Sequence, residues 1–162
     1  MIHSGFVGLG SNLGSPVDNC RRALDLLSKQ ASIGIVNRSS FYRTSPVGKT
    51  DQDWFVNAVA RFETPLSPEE ILDLFLNLEI ELGRKRREKW GPREIDLDLL
   101  FYDDRVSQAG NLILPHPEIE RRAFVLIPMN EIAPEWVHPV LKKTIRDLVT
   151  TLAEDQMIQR IP

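Results

Sequence analysis

The stretch Trp90-Gly91-Pro92-Arg93-Glu94-Ile95-Asp96-Leu97-Asp98-Leu99-Leu100 constrains the fold of this chain more than any other. Acidic and leucine residues alternate, which reads as a β-strand, because successive side chains point to opposite faces. Asp96 and Asp98 then share one face, and Leu97 and Leu99 pack on a core from the other. Along a strand the two aspartates sit about 6–7 Å apart at Cα, close enough for their carboxylates to converge on divalent ions. Upstream, Arg84-Lys85-Arg86-Arg87-Glu88-Lys89 places five cations in six residues. Gly91-Pro92 forces a turn between cations and strand. Carboxylates for hard cations beside cations for anions describe a site for Mg²⁺ and a polyphosphate.

Each part also has a plainer reading. Asp-Leu-Asp serves as an outward face of an ordinary strand, a basic run as a solvated face, and Trp90 as a core anchor. The clustering of the three within so short a stretch favours the site. The net charge of −3 attracts neither nucleic acid nor anionic membrane, so any anion site is local. Cys20 is the single cysteine, which excludes an internal disulfide; its helical pattern makes it a small core residue. No basic n-region or apolar h-region opens the chain, and no apolar run reaches membrane-spanning length. A cytoplasmic protein is expected. The length of 162 residues predicts one domain over 1–162.

The order of elements gives an α+β fold. Gly5–Leu9 reads as a strand and Gly10–Gly14 as loop. Val17, Cys20, Ala23, Leu24 and Leu27 recur at helical spacing after Pro16 and Asp18. Ile33–Tyr42 reads as one strand, Thr44–Asp53 as a loop and Phe55–Phe62 as a strand. Ser67-Pro68-Glu69-Glu70 is a capping box with proline at the first helical position. Ile71, Leu72, Phe75, Leu78 and Leu82 make that helix's apolar stripe, and Gly83 stops it. Ile95–Tyr102 is the next strand. The sequence β-α-β-β-α-β is the ferredoxin-like arrangement, an antiparallel sheet with both helices on one face. A hairpin from Tyr102 to Leu114 around Asp103-Asp104 is expected beyond it, then helices near Arg121–Glu131 and Thr144–Ala153. A two-layer domain of this kind buries its own core, and a monomer is expected.

Two familiar phosphate cradles fail. Gly48-Lys49-Thr50 ends like a P-loop, but Arg43 stands where the leading glycine belongs. Gly8-Leu9-Gly10-Ser11-Asn12-Leu13-Gly14 lacks the dinucleotide-fingerprint spacing.

Taken together, Gly8–Gly14, Ser40-Phe41-Tyr42-Arg43-Thr44-Ser45-Pro46-Val47-Gly48, Phe55-Val56-Asn57-Ala58, Gly83-Arg84, Trp90–Asp98 and Leu114-Pro115-His116-Pro117 resemble the 6-hydroxymethyl-7,8-dihydropterin pyrophosphokinase family. The block from Trp90 to Asp98 is the specific part. The resemblance implies an ATP-dependent, Mg²⁺-dependent enzyme of folate biosynthesis. Diphosphate passes from ATP to the pterin hydroxymethyl oxygen, and AMP leaves. It implies that Asp96 and Asp98 hold two Mg²⁺ ions, and that Arg84 and Arg93 share in catalysis with them. It places Glu79, Arg84, Arg86, Trp90, Arg93, Leu99, His116 and Arg122 at ATP. It places Thr44, Ser45, Val47, Phe55, Asn57, Trp90 and Phe124 at the pterin, with Phe55 and Phe124 sandwiching the ring. Arg87 and Lys89 are expected to be solvated. Three positions depart from the family pattern: Phe55 where tyrosine is common, Asn111 where some members carry arginine, and Leu76 where some carry a polar residue. The loops Thr44–Asp53 and Arg84–Trp90 are expected to close over bound ATP.

Rival classes make different products. An RNA-recognition module would carry a basic-glycine-aromatic strand signature, which Phe55–Phe62 lacks. A metal-dependent nucleotidyl transferase or cyclase would release pyrophosphate. A non-catalytic ligand-binding domain would leave Asp96 and Asp98 without a role.

Overall fold

The computed structural model describes residues 1–46, 51–83 and 94–162. Strand β1 runs His3–Ser11 and is followed by helix α1 at Pro16–Ser28. Then come β2 (Gly34–Arg38), β3 (Tyr42–Thr44), β4 (Phe55–Thr64) and helix α2 (Pro68–Glu81). Strand β5 is Asp96–Tyr102, and β6 (Ser107–Ala109) and β7 (Leu112–Leu114) form a small hairpin. A 3-10 turn (Ile119–Arg121), α3 (Ala123–Ile132), α4 (Ile145–Val149) and β8 (Ile158–Arg160) complete the described chain. The main sheet is antiparallel and ordered β5-β1-β4-β3-β8, with β2 also paired to β4.

Local chemistry explains the helices. Proline opens α1, whose buried face is Cys20, Ala23, Leu24 and Leu27. In α2 the Ser67 hydroxyl accepts from the Glu70 amide at 3.2 Å while the Glu70 carboxylate accepts from the Ser67 amide at 3.1 Å. Gly83 follows with φ +95, a value a side chain resists.

Strand alternation divides the sheet between two cores. Val7, Leu9, Val56, Ala58, Leu97 and Leu99 join the buried faces of α1 and α2. Phe6, Val59, Leu100 and Phe101 join α3 and α4. Leu100 is a bulge: Val7 pairs with Leu99 and Phe6 with Phe101, so adjacent Leu100 and Phe101 enter the same core. Helices thus cover both faces, where a two-layer domain was expected.

Four further expectations are corrected. First, β1 continues through Gly10 and Ser11, which the sequence assigns to a loop. Second, the single strand expected over Ile33–Tyr42 breaks into β2 and β3. At the break the Ser39 hydroxyl accepts from the Val59 amide at 2.9 Å, and its own amide donates to the Val59 carbonyl at 2.8 Å. Register then slips from Arg38↔Ala60 to Tyr42↔Asn57. Third, the hairpin turns at Gly110-Asn111, with Gly110 at φ +60. Asp103-Asp104 instead ends β5, where the Asp103 carboxylate accepts from the Ser4 amide at 2.8 Å and meets the His3 ring nitrogen at 2.7 Å. Fourth, the last helix stops at Val149, and the unexpected β8 pairs with β3.

Candidate active site

The two aspartates face the α3 side of the sheet, because their neighbours Leu97 and Leu99 face α1 and α2. Cross-strand register shows what lies beside them. Asp96 is opposite Gly10, which on its other side is opposite Asn57. Asp98 is opposite Gly8. One face therefore reads, strand by strand, carboxylates on β5, bare backbone on β1, and Phe55 with Asn57 on β4. Two strand spacings separate β5 from β4, about 10 Å. Over the glycines themselves lie side chains of neighbouring strands, the Asn57 Oδ1 at Gly10 and the Leu100 side chain at Gly8.

The Asn57 end is rigid. Its amide donates to the Thr44 hydroxyl at 2.6 Å, and both residues are buried. Its Oδ1 lies over Gly10, 2.7 Å from where a Cβ on Gly10 would sit. Ser45 is held by the tail, its amide donating to the Met157 carbonyl at 3.0 Å. Helix α3 covers β4 and β3 from above, and Phe124 lies in its first turn. The Arg122 guanidinium sits 5.6 Å from the Phe124 ring centre and 3.0 Å from the Glu118 carboxylate. At the far end of α3, Glu131 accepts from the Ser40 amide and hydroxyl and from the Tyr42 hydroxyl, at 2.7–2.9 Å. Burial, reinforced by that carboxylate, pushes the Tyr42 phenol up to about 12. Partial burial pushes Glu131 the other way from its donors, yet the bonds from Tyr42 and Ser40 and the nearby Arg160 prevail and hold it below the usual carboxylate value.

A second feature runs along the free edge of β5. A cleft of ≈ 640 Å³ lies between α2, β5 and the hairpin, and Glu79, Leu97, Asp98, Leu99 and His116 line it. That volume is in the range of small-molecule sites. Glu79 is buried. Its carboxylate accepts the Leu97 amide at 2.7 Å. The His116 amide donates to the Leu100 carbonyl at 2.9 Å. Backbone groups on a strand alternate in direction, so the Leu99 amide and carbonyl face the same edge as those of Leu97. Leu76 and Asn111, two of the positions that depart from the family pattern, line the cleft as well.

The structure thus gathers Glu79, Asp98, Leu99 and His116 at one cleft. It gathers Thr44, Phe55, Asn57, Asp96 and Asp98 on one sheet face. Val47, Arg84, Arg86, Arg87, Lys89, Trp90 and Arg93 lie outside the described residues, as do residues 47–50 of one loop expected to close and all of the other, 84–90. Gly8 and Gly10, which stand between the aspartates and Asn57 in the strand register, are positions the sequence reading did not single out. Their signal was glycine recurring inside a strand pattern, which marks close approach to backbone. Among the described residues no group of three or more His, Cys, Asp or Glu side chains is placed to hold a metal. Two partly exposed carboxylates fit Mg²⁺ nonetheless, since that ion keeps waters and shares its remaining positions with substrate phosphates.

Comparison with known proteins decides the family. Residues 6–134 match the model of the 7,8-dihydro-6-hydroxymethylpterin-pyrophosphokinase family. The chain belongs to that family. The 2-amino-4-hydroxy-6-hydroxymethyldihydropteridine pyrophosphokinase of Synechocystis sp. is 44% identical over 147 residues, which is 91% of this chain and 75% of that protein. The enzyme of the same name from Haemophilus influenzae is 41% identical over 157 residues, 97% of this chain and 98% of that one. A crystal structure of Plasmodium falciparum HPPK-DHPS with pteroate superposes with a TM-score of 0.75 at 18% identity, covering 93% of this chain. The pyrophosphokinase chain spans 42% of that longer protein, and the likeness speaks to the fold.

Proposed function

We propose that this pyrophosphokinase transfers diphosphate from ATP to the hydroxymethyl group of 6-hydroxymethyl-7,8-dihydropterin, releasing AMP, in folate biosynthesis. The observation that carries the reading is the row Asp96/Asp98, Gly10/Gly8, Asn57 on one sheet face, in a chain of this family. The strand order, with β2 and β3 taken as one interrupted strand, supports a ferredoxin-like fold extended by β8, α3 and α4.

The residues divide the work by position. Asn57 carries donor and acceptor atoms suited to a pyrimidine-type edge, and Thr44 sets its orientation. Phe55 and Phe124 supply apolar ring faces for stacking, with Ser45 and Val47 as pocket wall. The Leu99 backbone reads the base at the open edge of β5. Glu79 keeps that strand in place by its bond to Leu97. His116 and Arg122 meet the phosphates. Arg84, Arg86, Arg93 and Trp90 complete the site in this reading, the guanidiniums offering paired bonds to phosphate oxygens.

Asp96 and Asp98 would hold Mg²⁺, two ions by family resemblance. When bound, Mg²⁺ neutralises phosphate charge and makes the pterin hydroxyl more acidic. The chain's own part is placement. The oxygen of the hydroxymethyl group must face the β-phosphorus in line with the departing AMP oxygen, and the sheet face that carries Asn57 at one end and the two aspartates at the other sets the substrates in that relation. Bond formation at that phosphorus breaks its bond to the AMP oxygen, AMP leaves with the bonding electron pair as its phosphate oxyanion, and the hydroxyl proton passes to solvent.

We also read the protein as a single-domain cytoplasmic monomer without nucleic-acid or membrane partners. Among the described residues no helix is long and apolar enough to cross a membrane. The test of the main reading is product analysis with ATP, Mg²⁺ and the pterin. AMP that requires both pterin and Mg²⁺ is expected. ADP would mean attack at the γ-phosphorus, and released pyrophosphate a nucleotidyl transferase.

A further inference from the structure

The ends of β4 and β5 nearest the site are held by two asparagines that the mechanism above does not use. Asn12 follows β1 directly and is buried, 3% exposed. Its side-chain amide donates to the Asp53 carbonyl at 2.9 Å and to the Gln52 side-chain oxygen at 3.0 Å. Asn19 stands in the first turns of α1. Its side-chain amide lies 3.2 Å from the Glu94 carbonyl, 2.8 Å from the Leu13 carbonyl and 3.1 Å from the Ser11 hydroxyl. The two carbonyls occupy matching places. Asp53 lies two residues ahead of Phe55, and Glu94 lies two residues ahead of Asp96.

The sheet ladder cannot do this job. Its last described pairs at this end are Ser11↔Val56 between β1 and β4 and Gly10↔Asp96 between β1 and β5. Beyond them the described ladder carries no further pairs to β1. A carbonyl held there ties the first residues of its strand against fraying. Asn12, directly after β1, and Asn19, on α1 beside the Ser11 hydroxyl, carry that hold past the end of the ladder, one to each side.

We propose that Asn12 and Asn19 are positioning residues, a two-armed clasp that sets the acceptor-binding end of β4 against the metal-binding end of β5. The proposal rests on the functional reading above. Asn12 acts through Asp53 on Phe55 and Asn57. Asn19 acts through Glu94 on Asp96 and Asp98. The functional reading assigns neither a substrate contact. A displacement of about 1 Å between reacting groups costs on the order of a hundredfold in rate, so modest slack in either arm is readable.

The arms separate in kinetics. Asn12→Ala is expected to raise the KM for the pterin about tenfold, leaving the Mg²⁺ requirement and the KM for ATP within about twofold. Asn19→Ala is expected to do the reverse. Where an alanine variant does not fold, the aspartate variant, equal in size but without the amide donors, takes its place. Hydrogen exchange supplies a readout independent of turnover. Exchange should quicken at Trp54 and Phe55 in the Asn12 variant and at Ile95 and Asp96 in the Asn19 variant, not the other way round. A common fall in kcat that tracks melting temperature, with both KM values unmoved, overturns the clasp. So does exchange that rises equally at both strands. Absence of AMP from the wild-type protein overturns the functional reading instead, and the exchange pattern still decides whether the two arms act separately.

Discussion

Gly10 and Asn57 face each other across β1 and β4, and a Cβ on Gly10 would lie 2.7 Å from the Asn57 Oδ1. No carbon and oxygen sit that close without one moving. Asn57 cannot swing freely, because its Nδ2 is bonded to Thr44 at 2.6 Å. Gly10→Ala is therefore expected to push the Asn57 amide out of line. One hydrogen bond misplaced is worth about 1 kcal/mol. The KM for the pterin should rise roughly five- to tenfold while that for ATP holds. Gly8→Ala meets only Leu100 side-chain carbons from 3.4 Å outward, an ordinary contact, and should fold with a smaller effect. Steady-state kinetics on both variants checks the pair. Equal effects would mean that the glycines do not shape the acceptor end.

Asp96 and Asp98 share one strand face. Asp96→Asn and Asp98→Asn keep the side chain's size and an oxygen that accepts hydrogen bonds, and both variants are expected to fold. Turnover should fall on the order of a hundredfold or more, the scale seen when one electrostatic stabiliser of a transition state is lost. Near-normal turnover in both variants would remove the metal assignment.

What the sequence disclosed here follows the range of the interactions involved. Asp-Leu-Asp-Leu fixes a strand and its two faces because period two is a local property, and Ser67–Glu70 announces α2 because a capping box closes within four residues. The break at Ser39 depends on the Val59 amide, twenty residues away in sequence, and no local pattern reports it. β8 exists because β3 offers a free edge, while Ile158-Gln159-Arg160 alone is too short and polar to announce itself. Glu79 falls four residues after Phe75 and three before Leu82, in line with the helix's apolar stripe, yet nothing local names its partner, the Leu97 amide of the next strand. Gly10 looks like loop chemistry until its two strand partners are known. Pattern and resemblance together propose where the chemistry lies, whereas the clasp residues emerge only from long-range hydrogen bonds.

Glu79 supplies a structural prediction. Its carboxylate satisfies the Leu97 amide at 2.7 Å in a buried setting. Glu79→Ala leaves that amide without its acceptor, at a cost of about 1–3 kcal/mol. At about 2–4 °C per kcal/mol for a chain of this size, thermal melting should drop by several degrees. Glu79→Gln retains a carbonyl oxygen that can accept the same bond and should recover most of the loss. An alanine variant that melts like wild type would mean Glu79 does not hold β5 in place.

Acid should loosen the α3–α4 side of the sheet through His138. The residue is 4% exposed, its ring stands edge-on to Phe101 at 5.7 Å, and its Nδ1 accepts the amides of Val140 and Leu141 at 3.2 and 3.1 Å. A proton on Nδ1 would remove both bonds and place a charge against an aromatic core. Burial accordingly holds the ring below its usual value of 6.5, with Glu120 pulling weakly the other way. The unfolded chain takes up this proton near 6.5, and the folded protein only at lower pH. Between those points the unfolded state binds more protons, so stability rises with pH there and is complete above about 6.5. Denaturant melts from pH 8 to pH 5 should show a flat plateau that bends downward below about 6.5. His138→Asn keeps an acceptor near the position of Nδ1 but does not titrate, and should lose that bend. A wild-type curve that stays level to pH 5, or an unchanged bend in the variant, would assign the acid sensitivity elsewhere.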